Sequence, residues 1–321
     1  MAESARLSEQ TLLVSGTSKS LWTKIWKARL LYLILLPGFI HLLIFKLAPI
    51  FGVIISFENY SPFRGMLRSQ WVGFAQFAKF FSDPYSLVLI RNTILLAFYS
   101  LAFTYVVPIV FALFLNEVRN RAVLRSVQTV SLFPYFVSAA VVISIMYTFL
   151  SPQGGLVNQF LALFGIKPIF FMAQPQWFRP LYVGVSVWQQ FGYSAIIYLA
   201  AIVGVDPELY DVAEVDGAGR WRKMFNVTIP GIRHVLIVML ILSIGQILTV
   251  DVSKVLLMYN PSVYSTADIL QTYVYRAVFA SGGFPNYSYA AAVGLIQSIF
   301  AFLLVIASNQ ISKRYSESSI F

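Results

Sequence analysis

Five carboxylates, Asp206, Glu208, Asp211, Glu214 and Asp216, crowd between two long apolar runs, and Arg220, Arg222 and Lys223 follow them closely. Opposite charges at this density suit complementarity to a partner surface and the fixing of its register, with Leu209, Val212, Trp221, Met224 and Phe225 interleaved as apolar contacts. No nucleophile lies beside a base in a local pattern that specifies a reaction, so no catalytic residue is assigned. The only histidines, His41 and His234, are far apart in the chain and make no metal-ligand cluster.

A second set of polar groups is embedded in the apolar runs. Asn92, Gln189, Gln190, Gln246 and Gln297 both donate and accept hydrogen bonds, and such groups are costly to hold against lipid, which makes them candidates for a polar path. Trp188 and Tyr193 add flat apolar faces to that path. Lys254 follows Asp251 by three residues; the two either pair on one helical face or leave Lys254 to meet an acidic ligand. Lys46, near Pro49, is placed to snorkel to an interface. Gly184, Ser186, Gly192, Ser194 and Ala195 allow close helix packing or leave room for a bulky solute, as do Gly294 and Ser298.

These groups need elements to position them. Of 321 residues, 58% are hydrophobic and 11% charged, too little charge to cover a soluble domain. Apolar runs at 30–57, 87–115, 129–150, 181–203, 235–257 and 289–307 predict six transmembrane helices. All exceed the roughly ten-residue alternating strands of a membrane barrel, so the expected fold is all-α and polytopic. The first run is long for an upright crossing, which predicts tilt, a kink near Pro37 or Pro49, or an extension beyond the lipid.

Basic residues set the orientation. Lys19, Lys24, Lys27, Arg29, Arg119, Arg121, Arg125, Arg220, Arg222, Lys223, Arg233, Lys313 and Arg314 all fall on one alternating side, against Arg64, Arg68, Lys79, Lys167, Arg179 and Arg276 on the other. This bias predicts both termini in the cytoplasm. The net charge of +10 therefore lies in short connections and not in the single basic stripe of a nucleic-acid binder. Without cysteine there is no disulfide or thiolate chemistry. Residues 1–18 lack the pattern of a cleaved signal, so the first run is expected to stay attached.

Three domains are expected: an N-terminal cytoplasmic segment 1–29, a membrane domain 30–308 that contains the loop 205–231, and a C-terminal tail 309–321. Trp22, Ile25, Trp26 and Arg29 share one side of a helical wheel, which suits an interfacial helix on membrane lipids or a plain juxtamembrane anchor. The external connections 58–86, 151–180 and 258–288 are rich in aromatic residues, Gly, Pro and Asn, which favours turns over flexible linkers; they either anchor and pack or recognise a partner.

Within the loop, Asp206 before Pro207 predicts a capped helix start, with Glu208 in the first turn and helix to Val215. Gly217 or Gly219 then supplies a left-handed turn, a basic and aromatic helix resumes over 220–227, and Pro230 resets the chain. The run LYDVAEVDGAGRWRKMFNVTIP closely resembles the EAA loop of inner-membrane permeases in bacterial binding-protein-dependent ABC importers. Asp211, Val212 and Ala213 match its EAA positions and Gly217 its central glycine, with Ile229 and Pro230 closing the segment. Asp211 stands for the usual Glu and Val212 for the usual Ala, changes that keep the charge and the apolar contact.

LLPGF at 35–39, Pro49 to Gly52, WVGF at 71–74 and RNT at 91–93 extend the resemblance to six-span carbohydrate importers, most of all to alginate importer permeases. The resemblance implies a type I permease fold in the bacterial inner membrane. It also implies a second, homologous permease subunit, two ATPase subunits that carry ATP and Mg, and a periplasmic solute-binding protein, with no cofactor on this chain. Leu209, Asp211, Val212, Ala213, Glu214, Asp216, Gly217, Trp221, Met224, Phe225 and Pro230 would form the ATPase-coupling surface. Asn92, Trp188, Gln189, Gln190, Tyr193, Gln246, Lys254 and Gln297 would meet an oligosaccharide moving by alternating access. A neutral or different acidic cargo, or a nontransporting receptor or assembly subunit, stays open on sequence alone.

Overall fold

The computed structural model describes residues 26–245, 250–280 and 284–315. Contacts divide the chain into two units, Met1–Ile54 and Ile55–Phe321. Trp22 and Ile25 of the expected interfacial helix lie outside the described residues, while the Arg29 guanidinium sits 5.5 Å from the Trp26 ring centre.

Among the described residues, helix α1, Arg29–Phe57, is one of three helices long and apolar enough to cross a membrane, the others being α3, Tyr85–Asn116, and the Tyr287–Ala307 part of α13, Tyr287–Tyr315. Residues Arg29–Leu42 of α1 bury no side chain. The expected irregularity near Pro49 is present as a π turn over Leu43–Leu47, in which the Ala48 N–H bonds to the Leu43 carbonyl. Pro49 has no N–H to offer the Phe45 carbonyl, so the turn widens just ahead of it.

Two bent helix pairs raise the number of membrane-length segments to five if each pair is one span. The first revises the expectation of a single helix over 129–150: α4, Arg121–Leu132, and α5, Ala139–Phe149, meet at 100° around the short turn Phe133–Phe136. Pro134 interrupts the ladder, and the Ser138 hydroxyl caps the new helix by accepting from the Val141 N–H. The second pair joins α9, Arg220–Gly231, to α10, Arg233–Gly245, at 64°.

The expected run 235–257 is likewise not one helix. α10 is described as far as Gly245, residues 250 and 251 are not helical, and α11, Val252–Met258, starts anew with the Asp251 carboxylate accepting from the Lys254 N–H. Between them Gln246 lies outside the described residues.

Helix α7, Pro175–Val203, packs along α3 more extensively than any other pair. Leu96, Ile143, Phe178 and Met258 belong to one core cluster, and Ala112, Ala195, Met224 and Ile232 to another. Gly192 permits the close crossing with the α4 end: a Cβ there would lie 2.0 Å from the Ser131 carbonyl oxygen. The connection before α3 carries a two-residue antiparallel pair, β1 Glu58–Asn59 with β2 Gln70–Trp71, and the short helix α2, Ala75–Ser82. In the next connection, α6, Leu156–Ala162, is pinned by Asn158, whose amide donates to the Leu150, Ser151 and Ile169 carbonyls.

Candidate functional site

The acidic loop folds as a two-helix elbow. Helix α8, Pro207–Val215, starts with the Asp206 carboxylate accepting from the Glu208 N–H at 3.0 Å, as the Asp-Pro pair predicts. It ends at Gly217, whose φ of +71° lets the Ala218 N–H reach the Ala213 carbonyl and its own N–H reach that of Glu214. Helix α9 then contains a π turn, Met224–Thr228, closed by the Ile229 N–H on the Met224 carbonyl. As in α1, the turn ends two residues before a proline: Pro230 has no N–H for the Asn226 carbonyl.

The inner side of the elbow is packed. Met224, Val205, Thr228 and Ile232 are buried, and the Tyr210 hydroxyl lies 3.0 Å from the Thr228 hydroxyl. A Cβ on Gly231 would meet the Val205 side chain at 2.8 Å, so this contact accepts only glycine without adjustment. The Phe114 and Trp221 rings meet edge to face at 6.1 Å, tying the elbow to the end of α3.

Its outer side is bare. Leu209, Val212, Val215, Trp221 and Phe225 are between 51% and 89% exposed. Leu209, Val212, Ala213, Asp216 and Pro230 help line a groove of about 660 Å³. Asp211 is exposed, and the Glu214 carboxylate accepts from the Lys223 ammonium at 2.9 Å, a bond that holds the Glu214 carboxyl below the ordinary carboxylate range. Of the predicted coupling residues Met224 alone is buried, supporting the surface from within.

A polar cavity of about 200 Å³ lies among α3, α7, α10 and α11, lined by Ser100, Thr104, Tyr182, Gln190, Ser243 and Lys254 among others. The Lys254 side chain is 6% exposed and its ammonium lies 3.6 Å from the Asp251 carboxylate. The Asp251 N–H donates to the Tyr182 hydroxyl at 3.1 Å. Sequence reasoning found Gln190 and Lys254 but not the hydroxyls of Ser100, Thr104, Tyr182 and Ser243, whose residue types are common in any helix.

Among the described residues, the other predicted path residues are not gathered there. The buried Gln189 amide donates to the Val137 carbonyl at 2.9 Å, bracing the bend between α4 and α5. Tyr193 stacks on Tyr135 with ring centres 4.2 Å apart, and Trp188 lines a separate groove with Phe111 and Phe191. Gln297 is half-buried on α13. Asn92 is fully buried and structural: its amide donates to the Ser265 and Asp268 carbonyls and its oxygen accepts from Arg179 at 2.8 Å.

Asn92 thus belongs to a clamp that sequence reasoning missed. Asp268 is completely buried and is gripped by both terminal nitrogens of Arg276, on α12, Leu270–Phe279. Tyr85 and Thr272 each donate a hydroxyl to the same carboxylate at 2.7 Å. The guanidinium also lies 4.9 Å from the Tyr264 ring centre and within 6 Å of those of Tyr259 and Tyr273. Burial alone would lower the Arg276 pKa, but hydrogen bonds to Asp268 and Tyr259 outweigh it and push it up. The available signal was that Asp268 and Arg276 are the lone acid and the lone base between residues 258 and 288. Among the described residues no group of three or more His, Asp or Glu side chains could hold a metal ion.

Membrane-length helices, an elbow left bare on one side and a polar cavity between helices define a multi-pass membrane component that works with partners. The chain belongs to the family of binding-protein-dependent transport system inner membrane components, whose model matches residues 104–317. It is 41% identical over 303 residues, 94% of each chain, to the polygalacturonan/rhamnogalacturonan transport system permease protein YteP of Bacillus subtilis (strain 168). Protein LplB of the same organism is 40% identical over 310 residues, covering 97% of this chain and 96% of that one. Among solved structures, the chain is similar to one of a bacterial alginate ABC transporter in complex with alginate pentasaccharide-bound periplasmic protein, at 35% identity and a TM-score of 0.86, over 94% of this chain and 100% of that one.

Proposed function

We propose that this chain is one of two homologous permease subunits of an ATP-driven importer that moves acidic oligosaccharides, alginate or a related uronate polymer, from periplasm to cytoplasm. The observation that carries this reading is the similarity, over 94% of the chain, to permeases named for polygalacturonan/rhamnogalacturonan and for alginate. Both kinds of polymer carry carboxylates on their sugar rings. The α1, α3, α4/α5 and α13 segments and the run that α10 begins supply five crossings, and the 29-residue α7 a sixth, long enough at about 1.5 Å per residue. With the basic residues on one alternating side, both termini are cytoplasmic. The region 30–308 is the permease domain, flanked by the segments 1–29 and 309–321.

In this reading the elbow 205–231 docks on one of two ATPase subunits, which bind the ATP and Mg, and its bare apolar side becomes the interface. Closure of the ATPase pair pushes on α8 and α9, and the packed inner side passes that movement to α3 and α10. The cavity around Gln190 and Lys254 is part of the route, exposed alternately to each side. Lys254, held by a single carboxylate at 3.6 Å, is the group placed to trade Asp251 for a sugar carboxylate.

The test is reconstitution with the second permease, the ATPases and the binding protein. ATP-dependent uptake and stimulated ATPase activity are expected with a uronic-acid oligosaccharide. Stimulation by a neutral oligosaccharide alone would reject the acidic cargo. Intact assembly with no uptake of any cargo would reject transport.

A further inference from the structure

We infer that Arg179 and Arg91 form a carboxylate-reading subsite for cargo beside Tyr99 at the outer end of α3 and α7, apart from the cavity around Lys254; this rests on the reading of the chain as an importer of acidic oligosaccharides. A cavity of about 580 Å³ lies there, within the roughly 300–1,000 Å³ of small-molecule sites. Its walls include Tyr99, Phe103, Gln176, Arg179 and Gly184. Nothing lies within 4 Å of where a Gly184 Cβ would stand, so glycine here keeps the wall recessed and is not required by packing.

The two arginines are joined through Asn92 and the Ser265 carbonyl. Arg179 donates to the Asn92 oxygen at 2.8 Å, Asn92 donates to the Ser265 carbonyl at 3.1 Å, and Arg91 approaches the same carbonyl at 3.4 Å. Among the described residues neither guanidinium has a carboxylate within salt-bridge distance, and Arg179 Nε is buried without a hydrogen-bond partner. The contrast with Arg276, saturated by Asp268, is direct. Arg179 is the one cation on an otherwise apolar wall, and Arg91 reaches the carbonyl that Arg179's partner Asn92 holds; a cation so placed calls for an anion, and the planar guanidinium fork matches a carboxylate. Tyr99 offers an aromatic face and Gln176 an amide for the hydroxyls of the same sugar ring.

The experiment compares uptake by the reconstituted full complex of a uronic-acid tetrasaccharide and of the same tetrasaccharide with its carboxyls reduced to alcohols. Wild-type uptake of the acidic form tests the importer reading itself; its absence would overturn that reading before any variant is made. Given that uptake, Arg179→Gln and Arg91→Gln are each expected to lower acidic uptake relative to the reduced form by about tenfold or more, the scale of a lost charged hydrogen bond. Arg179→Lys should recover part of the difference, while Arg68→Gln, at an exposed external arginine, should leave the ratio unchanged. Equal loss of both cargoes, with or without loss of assembly, would assign the arginines to structure or to the second permease and overturn the subsite. An effect that follows the anionic-lipid content of the vesicles and ignores the cargo would overturn it in favour of a lipid headgroup.

Discussion

The clamp around Asp268 and the elbow around Glu214 use the same materials, an acid, a base and nearby aromatic rings, and finish in opposite states. Asp268 is fully buried, receives four donors and is enclosed by tyrosines. Glu214 holds one ammonium at the surface, beside exposed Val212, Val215 and Phe225. The clamp is complete within one chain, so its work is to fix the fold of the 258–288 connection. The elbow is complete only on its inner side, and its outer side is an interface awaiting a second protein.

The largest expected effect that separates the two is on stability. Asp268→Ala leaves the half-buried Arg276 without its counter-ion and should destabilise the purified protein by about 3 kcal/mol, the lower end for a broken buried pair, read as a lowered Tm in detergent. Arg276→Met added to it should recover part of that loss, because the stranded charge is gone. Gly217→Val forces a β-branched side chain into the left-handed region, at a cost of about 1–2 kcal/mol. It should abolish cargo-stimulated ATPase activity while the permease pair still assembles, which copurification would verify.

Leu209→Ala and Phe225→Ala remove exposed apolar atoms and should change the Tm of the isolated chain by an amount equivalent to no more than about 0.5 kcal/mol. In the full complex the same changes should cut stimulated ATPase by about tenfold, the scale of an interface anchor. A large Tm loss in the isolated chain would instead make the elbow a finished structure like the clamp.

The smallest effect concerns pH. Lys223 depresses the Glu214 pKa, so the bond contributes fully above the ordinary carboxylate range and is lost as pH falls through the lowered value. Amide exchange protection in α8, corrected for intrinsic rate, should decline at acid pH, less so in high salt where the exposed pair is already screened, and Glu214→Gln should remove the dependence. The clamp should show no salt sensitivity over the same range.

The elbow was legible because each of its devices is local: an Asp-Pro start, a glycine stop and a proline reset all act within four residues. The uninterrupted apolar content of α3 and α13 made those helices equally plain. Hydropathy is blind to direction, so the 100° bend at Pro134 and Ser138 and the break before Asp251 were absorbed into single runs, although the proline and both capping side chains were in view. Asp251 was paired with Lys254 in sequence, yet its capping role and the cavity it borders depend on α3 and α7, far away in the chain. The clamp was illegible for the same reason: Tyr85 and Asn92 reach residue 268 across more than 170 positions.

Because the chain has no cysteine, Val215→Cys, at an 89% exposed position, gives one reactive thiol in this subunit. In the working complex with single-cysteine ATPase subunits, that thiol should cross-link to an ATPase subunit with a yield that changes on ATP binding, and stay unlabelled by membrane-impermeant reagent added outside. External labelling, or the absence of any ATPase cross-link in complexes that still transport, would contradict the elbow as the coupling surface.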